Sequence, residues 1–212
     1  EYYAATEGTG TSCDPETWLR RPGTVGPVLN GQVLIGDEDG TELPPGEAGL
    51  VYLKAPEVGR FHYFNDDDKT EAAYRGEYFT LGDVGYVDAD GYLFLTDRSA
   101  NLIISGGVNI YPAEVDEVLL EHPAVGDAAT IGVPHPDWGE EVVAVVELQA
   151  GVEPTDELAT DLIELCRSRL AHYKCPRRVD FVATLPRHDN GKIYKRVLRD
   201  DYRARTTGAT ER

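Results

Sequence analysis

Methionine is absent from the 212 residues, cysteine occurs three times and tryptophan twice. No apolar run approaches the roughly 18 to 20 residues that a bilayer-spanning helix needs. The sequence therefore reads as a soluble, cytoplasmic chain without a membrane span. Cys13, Cys166 and Cys175 are scattered, odd in number and free of CxxC spacing. That pattern argues against a disulfide framework and for reduced thiols. A basic or signal-like leader is also missing, and the sequence opens Glu1-Tyr2-Tyr3. It reads as the downstream part of a longer chain or as an excised piece. Positive charge is scarce as well, with 20 Lys and Arg against 38 Asp and Glu and a formal net charge of -18. A molecule so acidic repels a long phosphate backbone, and its basic residues lack an aromatic stacking series, so nucleic acid is excluded as a partner.

What charge there is lies unevenly. Residues 167–205 hold 12 Lys or Arg against 4 Asp or Glu, leaving 8 against 34 elsewhere. A positive segment in an acidic protein concentrates field where a small anion can be met, although a solvated basic helix face has the same composition. The length suffices for one large domain or two small ones.

Along the chain, Glu1 to Thr11 is turn-like and offers Thr6 and Glu7, a hydroxyl and a carboxylate able to serve phosphate and Mg2+ together. From Gly23 to Arg98, short runs at 32–35, 50–53 and 92–95 are separated by Asp-Gly and Pro-Gly turns, which predicts antiparallel strands in a sandwich or small barrel. Asp88-Ala89-Asp90-Gly91 superficially suggests a calcium loop, but Ser99 stands where that loop needs a Glu, so this turn and Asp37-Glu38-Asp39-Gly40 are read as hairpin turns.

In Asp97–Glu117, two β-branched runs flank Ser105-Gly106-Gly107, and Pro112 with Glu114 and Asp116 marks a helix start. Beyond it the periodicities predict helices over 113–122, 156–171 and 194–202, strands over 128–133, 141–148 and 179–182, and a disordered polar tail over 206–212. Gly191-Lys192 invites a phosphate-loop reading, but Pro186 and Ile193 stand where that motif needs a glycine and a Ser or Thr.

Four motifs in order resemble those of the adenylate-forming enzymes: Tyr3-Ala4-Ala5-Thr6-Glu7, Thr80-Leu81-Gly82-Asp83, Arg98 with the Ser-Gly-Gly hairpin, and Pro186 to Lys192. The stretch Ile104 to Pro112 is similar to the acyl-CoA synthetase, or fatty-acid-CoA ligase, branch. The resemblance implies an α+β protein. A β-barrel-like end of a large N-terminal domain would occupy 1–97, a hinge 98–101, and a small mobile α+β domain 102–205.

It also implies a two-step reaction. A carboxylic acid, of fatty or steroid-like type, and ATP would give an acyl-adenylate and pyrophosphate, and coenzyme A would then take the acyl group after the small domain turns. Lys192 would complete adenylation; Tyr3, Thr6, Asp83 and Arg98 would hold nucleotide, and Glu7 would hold Mg2+. Gly106, Gly107, Trp138, Tyr173, Lys174 and Arg177 would receive coenzyme A, the glycines by allowing a pantetheine chain close approach. Two departures stand out, Ala4 for a common Gly and Ala100 where a charged hinge residue is usual. The family's Ser/Thr/Gly-rich phosphate loop is absent, so these residues alone are expected to be inactive without an N-terminal partner portion. A ligase that loads a carrier protein, or a non-catalytic interaction domain, remains open as an alternative.

Overall fold

The structure is a computed structural model that describes residues 1–29, 31–56 and 59–209, and the chain divides into two compact units, Glu1–Ala100 and Asn101–Arg212. In the first unit β1 (Tyr2–Ala5) and β2 (Gly8–Ser12) form a hairpin, followed by α1 (Pro15–Arg20). Then come β3 (Thr24–Pro27), β4 (Val33–Gly36), β5 (Gly49–Lys54), α2 (Asp67–Ala73), β6 (Tyr74–Arg75), β7 (Tyr78–Val87) and β8 (Tyr92–Arg98). They build an antiparallel sheet in the order β3-β8-β7-β5-β4, with β6 added to β7. Val25, Ile35, Val51, Leu53, Phe79 and Leu93 form its core.

The acidic turns are structural. Asp37 Oδ1 accepts the backbone N–H groups of Asp39 and Thr41, and Asp88 Oδ1 accepts those of Asp90 and Tyr92. Gly40 and Gly91 supply the left-handed residue in each turn, with φ of +82° and +83°. The antiparallel strands expected over this stretch are present; among the described residues they form an open sheet with β3 and β4 at its edges, and no closed barrel. Pro27, which has no N–H to give, and Gly26, at φ +118°, blunt β3 against further pairing.

A short 3-10 turn, Ser99–Asn101, spans the point in the chain where the first unit gives way to the second. A mixed sheet follows from β9 (Ile103–Ser105), β10 (Val108–Ile110), β11 (Val125–His135), β12 (Gly139–Leu148) and β13 (Arg178–Val182). Its order is β10-β9-β12-β11, and β13 joins β12 in parallel. Helices α3 (Pro112–Leu120), α4 (Asp156–Arg169) and α5 (Lys195–Ala209) cover it.

Alternation along β11 and β12 decides which helix goes where. Ala128, Ala144 and Val146 meet Val115 and Leu119 of α3 and Leu162 and Cys166 of α4, whereas Ala129, Ile131, Val143 and Val145 meet Leu198 and Tyr202 of α5. α4 is well capped: the Thr155 hydroxyl accepts the Leu158 N–H, Asp156 and Glu157 sit in the first turn and Arg167 and Arg169 in the last. α5 runs past the predicted end at Tyr202 into the stretch read as a disordered tail. Arg203, Ala204 and Arg205 are strong helix formers and Gly208 is the first breaker; Thr210–Arg212 lie outside the described residues.

Candidate functional site

In the first unit the pairing of β7 with β8 sets Asp83 opposite Arg98. Arg98 Nε lies 3.0 Å from Asp83 Oδ1, and the Tyr3 hydroxyl, reaching over from β1, donates to Asp83 Oδ2 at 2.9 Å. The carboxylate is buried, while the Arg98 side chain is 64% exposed. Burial, and next the negative charge of Asp83, push the Tyr3 phenol above its ordinary range. Tyr3 therefore stays a donor at neutral pH. Each carboxylate oxygen has two acceptor directions, so the pair of bonds leaves capacity for a ligand diol. The ring of Tyr3 also packs against the sheet core.

Thr6 and Glu7 form the turn between β1 and β2. Thr6 is exposed, and the half-buried Glu7 accepts the Tyr63 hydroxyl at 3.3 Å through Oε1. No cluster of three metal-ligating side chains occurs among the described residues. One carboxylate beside a hydroxyl nevertheless fits Mg2+, which commonly takes one or two protein carboxylates and completes its shell with substrate phosphates and water.

In the second unit Gly106 and Gly107 form the two-residue turn of the β9–β10 hairpin, with φ of +58° and +79°. Two successive positive φ values match the twist of a tight hairpin and select glycine. An added Cβ at either position meets nothing within 4 Å. Within this chain the glycines are thus required by backbone conformation, and the protein itself does not crowd either position. The Gly106 N–H donates to the Trp138 carbonyl at 2.9 Å, which ties the hairpin to the β11–β12 turn.

The Arg177 guanidinium stacks on the Trp138 ring, whose other neighbour is His135 at 5.4 Å between ring centroids. This sequence therefore brings Gly106, Gly107, Trp138 and Arg177 together. Lys174 is engaged elsewhere, in an ion pair with Glu114 in the first turn of α3. Tyr173, on the 3-10 turn His172–Lys174, is 54% exposed.

Lys192 sits on a tight hairpin. The Tyr194 N–H bonds the Pro186 carbonyl, the His188 N–H bonds the Lys192 carbonyl, and the Gly191 N–H bonds the His188 carbonyl. Gly191 takes φ +85°, and the Lys192 N–H is held by Asn190 Oδ1 at 3.2 Å. The side chain of Lys192 is exposed and makes no ion pair or hydrogen bond among the described residues. Other cations nearby are committed. Lys195 Nζ lies 2.7 Å from Asp116 Oδ2, a largely buried pair in which desolvation raises the carboxyl pKa against the pull of Lys195. Arg187 bonds Asp127 at 2.6 Å.

Sequence reasoning singled out Lys192 from this hairpin, passed over Arg187, Lys195 and Asp127, and read Asp116 only as a helix-start carboxylate. Their partners lie 60 and 79 residues away, and no local spacing reveals such pairs.

Residues 114–192 match the AMP-binding enzyme C-terminal domain. The chain is 44% identical over 185 residues to 2-succinylbenzoate–CoA ligase of Geobacillus kaustophilus, covering 87% of this chain and 37% of that protein. It is 38% identical over 206 residues to a long-chain-fatty-acid–CoA ligase of Mycobacterium tuberculosis, covering 95% and 40%. Among solved structures, o-succinylbenzoate CoA synthetase from Bacillus subtilis, in complex with its acyl-adenylate intermediate, superposes with a TM-score of 0.83 at 36% identity, over 94% of this chain and 40% of that one. The chain spans about two fifths of the length of these relatives.

Proposed function

The chain belongs to the AMP-binding enzymes of the adenylate-forming superfamily, and on that premise we propose that it is the C-terminal portion of an acid–thiol ligase that makes an acyl-CoA in two steps. In the first, a substrate carboxylate attacks the α-phosphorus of ATP and pyrophosphate leaves. In the second, the thiol of coenzyme A attacks the acyl carbonyl and AMP leaves. The observation that carries this reading is Lys192, an exposed ammonium without a partner among the described residues, on a backbone pinned by its own hairpin.

The first step brings two anions together and increases charge on the oxygens in flight. A preorganised ammonium lowers that repulsion and favours the transition state over the ground state. Asp83, held by Tyr3 and Arg98, would accept hydroxyls of the ribose. Thr6 would bond a phosphate oxygen and Glu7 would hold Mg2+, whose contribution is to neutralise the departing pyrophosphate. For the second step, Trp138 and Arg177 offer a flat cationic stack for the nucleotide end of coenzyme A, beside the Gly106–Gly107 turn, with Tyr173 and Lys174 on the neighbouring segment.

The acid itself is proposed to be fatty or steroid-like, on the likeness of Ile104–Pro112 to that branch. The test is to supply the intact ligase with ATP, Mg2+, coenzyme A and a panel containing long-chain fatty, steroid and aryl acids such as 2-succinylbenzoate. Pyrophosphate and an acyl-CoA from a fatty or steroid acid are expected. Turnover of aryl acids alone overturns the substrate class. No nucleotide turnover with any acid overturns the ligase reading.

A further inference from the structure

The guanidinium of Arg187 lies across the hairpin from the lysine. Its Nη2 donates to Asp127 Oδ2 at 2.6 Å, and its Nη1 donates to the carbonyl oxygen of Gly191 at 3.2 Å. That carbonyl belongs to the peptide that joins Gly191 to Lys192. The N–H of the same peptide goes to Asn190, so both polar ends of it are held. Asp127 is on β11, paired with Glu147 of β12, and Glu147 approaches Arg187 at 3.8 Å while accepting the Leu185 N–H at 2.8 Å. One planar cation thus joins the tip of an exposed loop to β11 and, at longer range, to β12.

From this we propose that Arg187 is a positioning residue for Lys192, a strut that references the Gly191–Lys192 peptide to β11 through Asp127. The inference rests on the ligase reading above and deepens it. A lysine side chain has four rotatable bonds and much rotamer freedom to lose, so its ammonium can be preorganised only if its backbone does not wander as well. Arg suits the task because its planar fork reaches two acceptors in fixed directions, which a lysine at 187 cannot do. The strut bonds a main-chain carbonyl, so it makes no demand on the Lys192 ammonium itself.

In the intact ligase, Arg187→Leu is expected to slow pyrophosphate release by about tenfold to a hundredfold, the size of loss that a small misplacement of a reacting group brings. Thioester formation from supplied acyl-adenylate stays within about twofold, since Lys192 serves only the first step. Arg187→Lys and the shape-preserving Asp127→Asn give smaller losses confined to the same half-reaction. They carry the test if Arg187→Leu does not fold. Added to Lys192→Ala, Arg187→Leu causes no further loss, because an effect transmitted through Lys192 disappears with it.

Equal losses in both half-reactions would make Arg187 a merely structural residue and overturn the proposal. So would unchanged pyrophosphate release in Arg187→Leu, or a further loss in the double variant. If Lys192→Ala alone leaves pyrophosphate release intact, the ligase role of Lys192 has failed, a result distinguishable from failure of the strut, and the strut falls with it.

Discussion

Asp83 is a buried carboxylate whose two oxygens are each given one partner, Arg98 and Tyr3. Asp83→Asn keeps the shape but weakens both bonds and the acceptor offered to a ribose diol. Hydrogen bonds to a charged group contribute about 1.5–3 kcal/mol, so the KM for ATP in the intact enzyme is expected to rise by about tenfold to a hundredfold, measured by pyrophosphate release. An unchanged KM would remove Asp83 from nucleotide binding. Cys166 is the opposite case, a group the chemistry does not use. It has no exposed surface, and burial pushes its thiol from 9.0 up to about 12. Because the folded value is raised, the stability it adds is complete below about 9 and is given up as the pH climbs towards 12. At pH 8 Cys166 is expected to resist alkylation in the folded chain and to react once the chain is unfolded, as peptide mapping would read out. Rapid labelling without unfolding would contradict its placement. At this scale the sequence was partly legible. Asp83, Arg98 and Lys192 stand in compact motifs, and the fold does bring Tyr3, Asp83 and Arg98 into contact. That the Tyr3 hydroxyl reaches Asp83 was not readable, since 80 residues separate them.

Elements were easier to read where periodicity and end signals agreed. α4 has a capping Thr155, acids at its start, arginines at its end and leucines at helical spacing, and it was expected within two residues of its observed limits. Short elements without an apolar stripe escaped notice: α2 has seven residues and buries only Thr70 and Ala73. The first sheet is open, and Gly26 and Pro27 in its edge strand β3 are features that strand patterns do not weigh. The Lys192 hairpin depends on one backbone conformation. At Gly191 an added Cβ meets nothing within 4 Å, so replacement costs conformation alone. Gly191→Val is expected to destabilise the second unit by about 1–2 kcal/mol in chemical denaturation, and Gly191→Asn by less, because Asn tolerates the left-handed region. Equal costs for the two would point to a steric clash in place of φ strain.

At the scale of the molecule, the chain is acidic except for the basic run over 167–205, and the cations of that run divide by employment. Arg187, Lys195 and Lys174 each hold a carboxylate of the second unit, whereas Lys192 is kept exposed. Local sequence shows that a region is basic but not which of its charges are spent on the fold. The chain covers about two fifths of its relatives, so the phosphate loop and most of an acyl pocket would have to come from residues beyond these 212. The central claim is that the exposed Lys192 ammonium serves the first half-reaction only. Its most direct test is Lys192→Ala in the intact ligase, with pyrophosphate release and thioester formation from supplied acyl-adenylate followed separately. The account predicts a fall in pyrophosphate release of about a hundredfold or more, as for loss of a preorganised charge-stabilising group, with the thioester step retained. Pyrophosphate release at the unsubstituted rate would contradict it.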